Sequence, residues 1–108
     1  MAISSIVSTA VSGLRTSATQ VAATADNIVN LNNPDHKRIE ARPVSLTAGN
    51  PGRGAGVAAE ISIAENGGQV DLAHEFVNLI RADAAYSANA EVIRTSQELD
   101  RILLDTKA

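Results

Sequence analysis

A heptad pattern of apolar residues constrains this chain more than any other feature of its sequence. Alternate steps of four and three residues from Ile3 to Leu31 meet apolar side chains at all but two positions, where the small Ser17 and Thr24 stand. Such spacing is typical of a long helix with one apolar stripe. Three further residues widen the predicted stripe: Val11, Ala18 and Ala25. The helix is expected to end at residues 32–34 because the residue before a proline avoids the helical conformation.

The same segment is a poor helix former in isolation. It is rich in serine and threonine, which compete for backbone hydrogen bonds or lose side-chain freedom in a helix, and it contains Gly13. Pattern and propensity therefore disagree. We expect a helix that forms only when it is packed against something else.

Residues 34–70 differ sharply from this helix, since they hold all three prolines and six of the seven glycines. Apolar residues from Ile39 to Leu46 indicate a short strand that Pro43 should disturb, and alternation over residues 57–63 indicates a second strand. Asn50-Pro51-Gly52 predicts the turn between them, and Asn66-Gly67-Gly68 closes the segment. A small β-hairpin is expected.

Residues 71–106 predict a second long helix, without glycine or proline. Asp71 is a candidate N-cap, and Glu75 falls near the first turn, where a carboxylate favours the helix dipole. We therefore expect one mainly α domain over residues 1–108. Its helices, 1–33 and 71–106, would pair in a coiled-coil-like arrangement on either side of a hairpin or loop insert at 34–70.

Composition excludes several classes of protein. A net charge of −3 argues against a general nucleic-acid binder, and the absence of cysteine removes disulfides and thiolate metal sites. The longest charge-free stretch, residues 1–14, is shorter than the roughly 18–20 residues of a membrane span. It lacks the basic start of a signal peptide, so neither membrane insertion nor a cleaved signal is expected.

The chemical motifs are weak. His74-Glu75-Phe76-Val77-Asn78 has Asn78 where a zinc protease needs its second histidine, so an exposed first-turn pair is the preferred interpretation of His74 and Glu75. The glycine-rich residues 52–56 favour a flexible turn over a phosphate loop. The segment 35–38, Asp-His-Lys-Arg, could bind an anion or a partner but favours a solvated turn. No enzyme activity, metal or cofactor is predicted.

The second helix also has apolar residues at helical spacing, namely Leu72, Phe76, Leu79, Ile80, Ala84, Ile93, Leu99, Ile102 and Leu103. The two stripes allow two interpretations. They could form the core of an ordinary helical hairpin, or they could be built for other copies or related subunits. The first helix is long for so small a body, and its alanine- and serine-rich face permits close packing but buries little area alone. Assembly is favoured.

Both helices also resemble the bacterial flagellar rod, hook and hook-associated proteins. Ser12-Gly13-Leu14 and the stretch from Ala25 to Pro34 are similar to the family's N-terminal motif. The segments 70–80 and 85–95 resemble its C-terminal motif. The family-motif residues are these: Ser12, Gly13, Leu14, Asn27, Asn30, Asn32, Pro34, Asn78 and Asn89.

The resemblance implies a structural subunit of the flagellar basal-body rod, close to the small proximal rod proteins. Such a subunit leaves the cell through the flagellar type III export apparatus without a cleaved signal, reaches the rod in the periplasmic space, and supports motility. Its partners would be other axial subunits and possibly itself. The alternative is a non-polymerising helical binding module or an accessory, regulatory paralogue.

A packing set follows from the two stripes. We expect contacts within the subunit and between neighbouring subunits, made by Ile3, Val7, Leu14, Val21, Ile28, Phe76, Leu79, Ile80, Tyr86 and Ile93. Asn27, Asn30 and Asn32 should satisfy hydrogen bonds where the helix meets the turn. The chain departs from the family motif at Asp35 and His36, where the family usually has glycine and an aromatic residue. The aromatic anchor after the turn is therefore expected to be lost.

Overall fold

The computed structural model describes residues 2–46, 56–64 and 70–107, with backbone alone at residues 2–4 and 107. The order of elements is α1 (Ala2–Val29), β1 (Ile39–Leu46), β2 (Gly56–Ile63) and α2 (Leu72–Lys107). The fold class is confirmed: the chain is mainly helical, with a two-stranded antiparallel hairpin between its helices. The side chain of Ile3 and the predicted turns at 50–52 and 66–68 lie outside the described residues.

Helix α1 ends earlier than predicted, at Val29, because asparagine side chains draw the backbone into turns. The Asn30 amide donates a hydrogen bond to the Asp26 carbonyl oxygen (2.9 Å), and the Asn33 side chain accepts one from the Asp35 backbone N–H (3.1 Å). Side chains that bond their neighbouring backbone in this way favour turns over helix. The chain then reverses through residues 30–38.

Helix α2 begins where the sequence predicts. The Asp71 carboxylate accepts a hydrogen bond from the Ala73 backbone N–H (3.1 Å), so Asp71 caps the helix as expected. From Leu72 the helix continues for 36 residues, a length of about 54 Å.

The hairpin pairs Ile39 with Ile63 at its base and Leu46 with Gly56 near its tip. The expectation that Pro43 disturbs β1 is wrong. Ala64 donates its N–H to the Arg38 carbonyl oxygen (2.9 Å), which makes that pair a hydrogen-bonded one. Bonded and non-bonded pairs alternate in an antiparallel ladder, so Pro43 falls at a position whose backbone points outward. Its missing N–H costs no ladder bond.

The two helices lie antiparallel and contact each other through small and polar side chains. Asn27 lies opposite Glu75 and Gly13 opposite Asn89. In the described part of the chain, only Ala10 and Ala82 are buried apolar residues. The buried polar or charged residues are Thr16, Ser17, Thr24, Asn27, Glu75 and Ser96. The helices therefore meet along a seam that buries little apolar area.

Candidate assembly surface

One side of α1 holds the hairpin through polar side chains spaced four residues apart. Ser12 Oγ accepts a hydrogen bond from the Val57 N–H (3.0 Å), and Thr16 Oγ1 donates to the Val57 carbonyl oxygen (3.3 Å). Gln20 Nε2 donates to the Ala41 carbonyl oxygen (3.4 Å). These residues weaken an isolated helix, yet here they satisfy strand backbone. Their spacing of four was the signal that sequence reasoning missed.

At the end of α1, Asn27 bonds the first residue of β1 with both ends of its side-chain amide. Its Oδ1 accepts from the Ile39 N–H (2.9 Å), and its Nδ2 donates to the Ile39 carbonyl oxygen (2.7 Å). Nδ2 also reaches Glu75 Oε1 (3.2 Å), and His36 Nε2 lies 3.2 Å from Oδ1. Asn27, His36, Arg38 and Glu75 together form what we call the Asn27 junction. It joins α1, the turn, β1 and α2.

Glu75 is the most deeply buried ionisable side chain of the junction, at 1% exposure, and Arg38 Nε lies 3.1 Å from its Oε1. The preferred interpretation of Glu75 as an exposed first-turn residue is therefore wrong. Its carboxylate accepts hydrogen bonds from both Asn27 and Arg38, which makes burial of the charge tolerable. Since Arg38 lies 37 residues away, helical periodicity gave no sign of this pair.

The His36 side chain is only 12% exposed and lies against Asn27. Ile39 donates to Asn27 Oδ1, so that oxygen is an acceptor and His36 Nε2 must carry a hydrogen to bond it. The carboxylate of Asp26 lies 3.8 Å from the same nitrogen. The predicted solvated turn is thus wrong for His36 and Arg38, while Asp35 and Lys37 are exposed. Hydrogen bonds anchor the turn at this position.

The zinc-protease alternative finds no support in the described residues. His74 is exposed on α2, and Glu75 is committed to Arg38 and Asn27. Over the described ranges, no three His, Cys, Asp or Glu side chains converge in a way that could hold a metal ion. Within those same ranges, no helix is long and apolar enough to cross a membrane.

Gly13 allows the helices to approach closely where it faces Asn89. A Cβ at position 13 would lie 2.5 Å from Asn89 Nδ2, closer than real contacts allow. Asn89 is held in place because its Nδ2 donates to the Ala85 carbonyl oxygen (2.9 Å). Two family-motif residues from opposite ends of the chain thus fit against each other.

The remaining family-motif residues have unequal surroundings. Asn30 bonds Asp26 at the end of α1, as expected, whereas Asn32 and Pro34 are exposed in the turn. Asn78 is half-buried in a groove of about 350 Å³ between β1 and α2, with residues of α1 at its floor. Arg42 and Arg81 also line this groove.

The predicted packing residues lie on the other side of the helix pair, away from the hairpin. On α1, Val7, Leu14, Val21 and Ile28 are half-buried. At 100° per residue the first three lie about 100° or more around the helix from Ser12, Thr16 and Gln20, and Ile28 lies about 80° from Gln20. On α2, Leu79 and Ile93 are half-buried, whereas Phe76, Ile80 and Tyr86 are exposed, Ile80 by 67%.

We call the surface that carries these predicted packing residues the open face; on α2 it extends around the helix to Ile80, about 160° from the buried Ala82. Ala18 and Ala25, which widen the predicted stripe, are exposed and do not belong to the buried seam between the helices. The heptad positions Ala10, Ser17 and Thr24 form the buried seam itself. Most of the larger apolar side chains of the heptad stripe therefore lie beside the seam and keep part of their surface free.

Charges on the far half of α2 pair locally. The Arg94 guanidinium bonds Glu91 one turn away and lowers the pKa of that carboxyl below its ordinary value. Both side chains are largely exposed, so this pair marks a solvated part of the helix.

Comparison with known families supports the resemblance seen in the sequence. Residues 66–106 match the family described as flagellar basal body rod FlgEFG protein C-terminal. The resemblance to the flagellar rod protein family is confirmed. The match covers α2 and the segment before it, and the family is a structural component of the flagellum, not an enzyme family. No curated protein matches the chain.

The match of residues 66–106 to the rod family gives the open face a context. A rod-family domain indicates a structural role in the basal body and association with other rod subunits.

Proposed function

We propose that this chain is a structural subunit of the flagellar basal-body rod that assembles through its open face into the axial tube. One observation carries the proposal. The described part of the chain buries only two apolar residues, both alanines, while large apolar side chains along both helices and the hairpin remain exposed. A monomer with this distribution leaves most of its hydrophobic driving force unused.

The magnitudes favour stabilisation by neighbours. Complete burial of one large apolar side chain contributes about 1.5–3 kcal/mol. Alanine seams contribute much less, so contacts at Phe76, Ile80 and Tyr86 would supply a large share of the stability of an assembled subunit. Mass action then links folding to assembly, since anything that binds only the folded state stabilises it.

The partners are other axial subunits, and possibly further copies of this chain. Delivery through the flagellar type III export apparatus, without a cleaved signal, would suit a chain whose helices are weak alone. The rod in the periplasmic space is the proposed location, and support of motility the proposed outcome.

A non-polymerising binding module or accessory paralogue is the second candidate. The Asn27 junction favours it, because these polar contacts are complete within one chain and could hold a stable monomer. A folded monomer whose helicity does not depend on concentration would support this candidate. Helicity that rises with concentration, and does so less in Ile80→Asp, would support the rod subunit.

The first experiment is an immunoblot for the chain on purified hook–basal bodies of its own organism. A band that survives stringent washing supports the rod subunit, and its absence there, with protein in the cytoplasm or medium, supports the accessory role.

The open face is tested in the same assay with Ile80→Asp and Leu14→Asp, which place a charge on it. We expect both to lose incorporation, with Ile80→Asp leaving the exported monomer intact because Ile80 is already 67% exposed. Thr95→Asp is the matched control, since it adds the same charge to an exposed position of α2 outside the predicted packing residues. Normal incorporation of Ile80→Asp would contradict assembly through the open face.

A further inference from the structure

The two outer edges of the hairpin are not equivalent. The alternation set by the Arg38–Ala64 pair points the backbone N–H and C=O groups of residues 39, 41, 43 and 45 outward on β1. Ile39 bonds α1 through both its N–H and its C=O, Ala41 bonds α1 through its C=O alone, and Pro43 has no N–H to offer. The edge of β1 is therefore largely closed to a further strand.

The edge of β2 is open beyond its first residues. Val57 bonds Ser12 and Thr16 on α1, whereas the outward N–H and C=O groups of Ala59, Ile61 and Ile63 have no hydrogen-bond partner in the described part of the chain. Ile61 and Ile63 are 60% and 56% exposed. Strand β2 contains neither proline nor lysine, the residues that commonly protect an edge.

We propose that this edge pairs with the same edge of a second copy, so that the unassembled chain forms a two-fold dimer with a four-stranded sheet. The edge is self-complementary in an antiparallel register centred on Ile61. Ile61 then faces its own copy, Ala59 faces Ile63, and Glu60 faces Ser62. Apolar residues meet apolar residues, and the charge of Glu60 avoids its own copy.

The backbone pattern agrees with this register. Residues 59, 61 and 63 point their N–H and C=O groups outward in both copies, so all three pairs would be hydrogen-bonded ones, with about six hydrogen bonds in total. A register shifted by one residue would lose this match. The side chains and the backbone therefore select the same arrangement.

A two-fold contact closes at the dimer, because each copy uses its single open edge. It cannot repeat along a tube whose subunits share one direction. The dimer is therefore a state of the chain before incorporation, and it stands or falls independently of the proposed role in the rod.

Single cysteines test the register directly, since the native chain has none. Paired residues in a bonded position have Cα atoms about 5.5 Å apart, within the span of a disulfide. We expect Ile61→Cys to form a disulfide-linked dimer by itself under mild oxidation. Ala59→Cys alone should not, but a mixture of Ala59→Cys and Ile63→Cys should. Equal cross-linking of Ala59→Cys with itself, or none by Ile61→Cys, would overturn the proposal.

Sedimentation equilibrium of the full chain gives a second test without oxidation. Ile61→Pro removes one outward N–H but no ladder bond, as Pro43 does natively, and should weaken dimerisation at least tenfold. Ile61→Thr keeps the N–H and the β-branched shape, so its dimer should be weakened only a few-fold. A dimer of unchanged strength in Ile61→Pro would contradict the edge pairing.

Discussion

The two sides of α1 differ in whether their side chains find partners within the same chain. The hairpin side carries Ser12, Thr16 and Gln20, whose side chains bond strand backbone within the same chain. The open side carries Val7, Leu14 and other apolar residues that are only half-buried. One side is complete in the monomer, and the other is complete only if something covers it.

The comparison shows that the contacts that fix the arrangement of the helices and hairpin differ from those that could supply most of the stabilising free energy. Hydrogen bonds fix the position of the hairpin and the register of the helices, since an unpaired buried polar group is costly. They add little net free energy, about 0.5–1.5 kcal/mol each. The apolar surface that could add more lies mostly at the exterior. The isolated chain should therefore have a defined structure but low stability.

The largest effect on the polar side is expected at Glu75. Glu75→Ala leaves Arg38, whose side chain is only 19% exposed, without its buried partner. Removal of one member of a buried ion pair typically costs about 3–5 kcal/mol. A loss of this size could unfold the isolated chain, and urea unfolding followed by circular dichroism would measure it.

Glu40→Gln is the control for that variant. Glu40 contacts the same arginine at 3.5 Å but is about half exposed, so its loss should cost less than about 1 kcal/mol. If the two variants have equal stability, the Asn27 junction does not hold the fold together.

The junction also shows where sequence reasoning stops. The helices and strands follow from local periodicity, and the cap at Asp71 follows from residue type. The burial of Glu75 depends on Arg38, a residue in a turn that composition marks as solvated. No periodic signal connects them, because the contact arises only when the chain reverses twice.

The hydrogen bonds between α1 side chains and the hairpin were missed for a different reason. Serine and threonine are poor helix formers, but propensity does not show that strand backbone supplies the hydrogen-bond partners of Ser12 and Thr16. The apolar residues of the open face were easier to predict from the sequence, because those on α1 follow the heptad spacing. Whether other subunits cover that face remains a prediction.

A smaller effect is expected at the seam between the helices. In an exposed helix, Gly→Ala normally stabilises by about 1 kcal/mol. Here Gly13→Ala should destabilise by about 1–3 kcal/mol, because the added methyl group meets the Asn89 side chain, which is held by Ala85. Thermal unfolding of the variant would show whether the substitution stabilises or destabilises the fold.

The double variant Gly13→Ala/Asn89→Ala separates steric conflict from other effects of the methyl group. Removal of the Asn89 amide should restore much of the lost stability, so the two changes should not add. Additive losses would mean that the contact between the helices is not set by this pair.

The smallest effect is expected where α2 is most exposed. The hydrogen bond and charge of Arg94 lower the pKa of Glu91 below its ordinary value of 4.5. A carboxyl with a lowered pKa in the folded state contributes stability above its ordinary pKa and loses it as the pH falls through the lowered value. In Arg94→Gln, a carboxyl NMR titration should return Glu91 towards 4.5, with almost no change in unfolding at pH 7, because exposed pairs contribute little. A large loss of unfolding free energy at pH 7 would show that this part of α2 is less solvated than its exposure indicates. The contrast between polar contacts completed within the monomer and an apolar surface that needs partners would then not extend to residues 91–94.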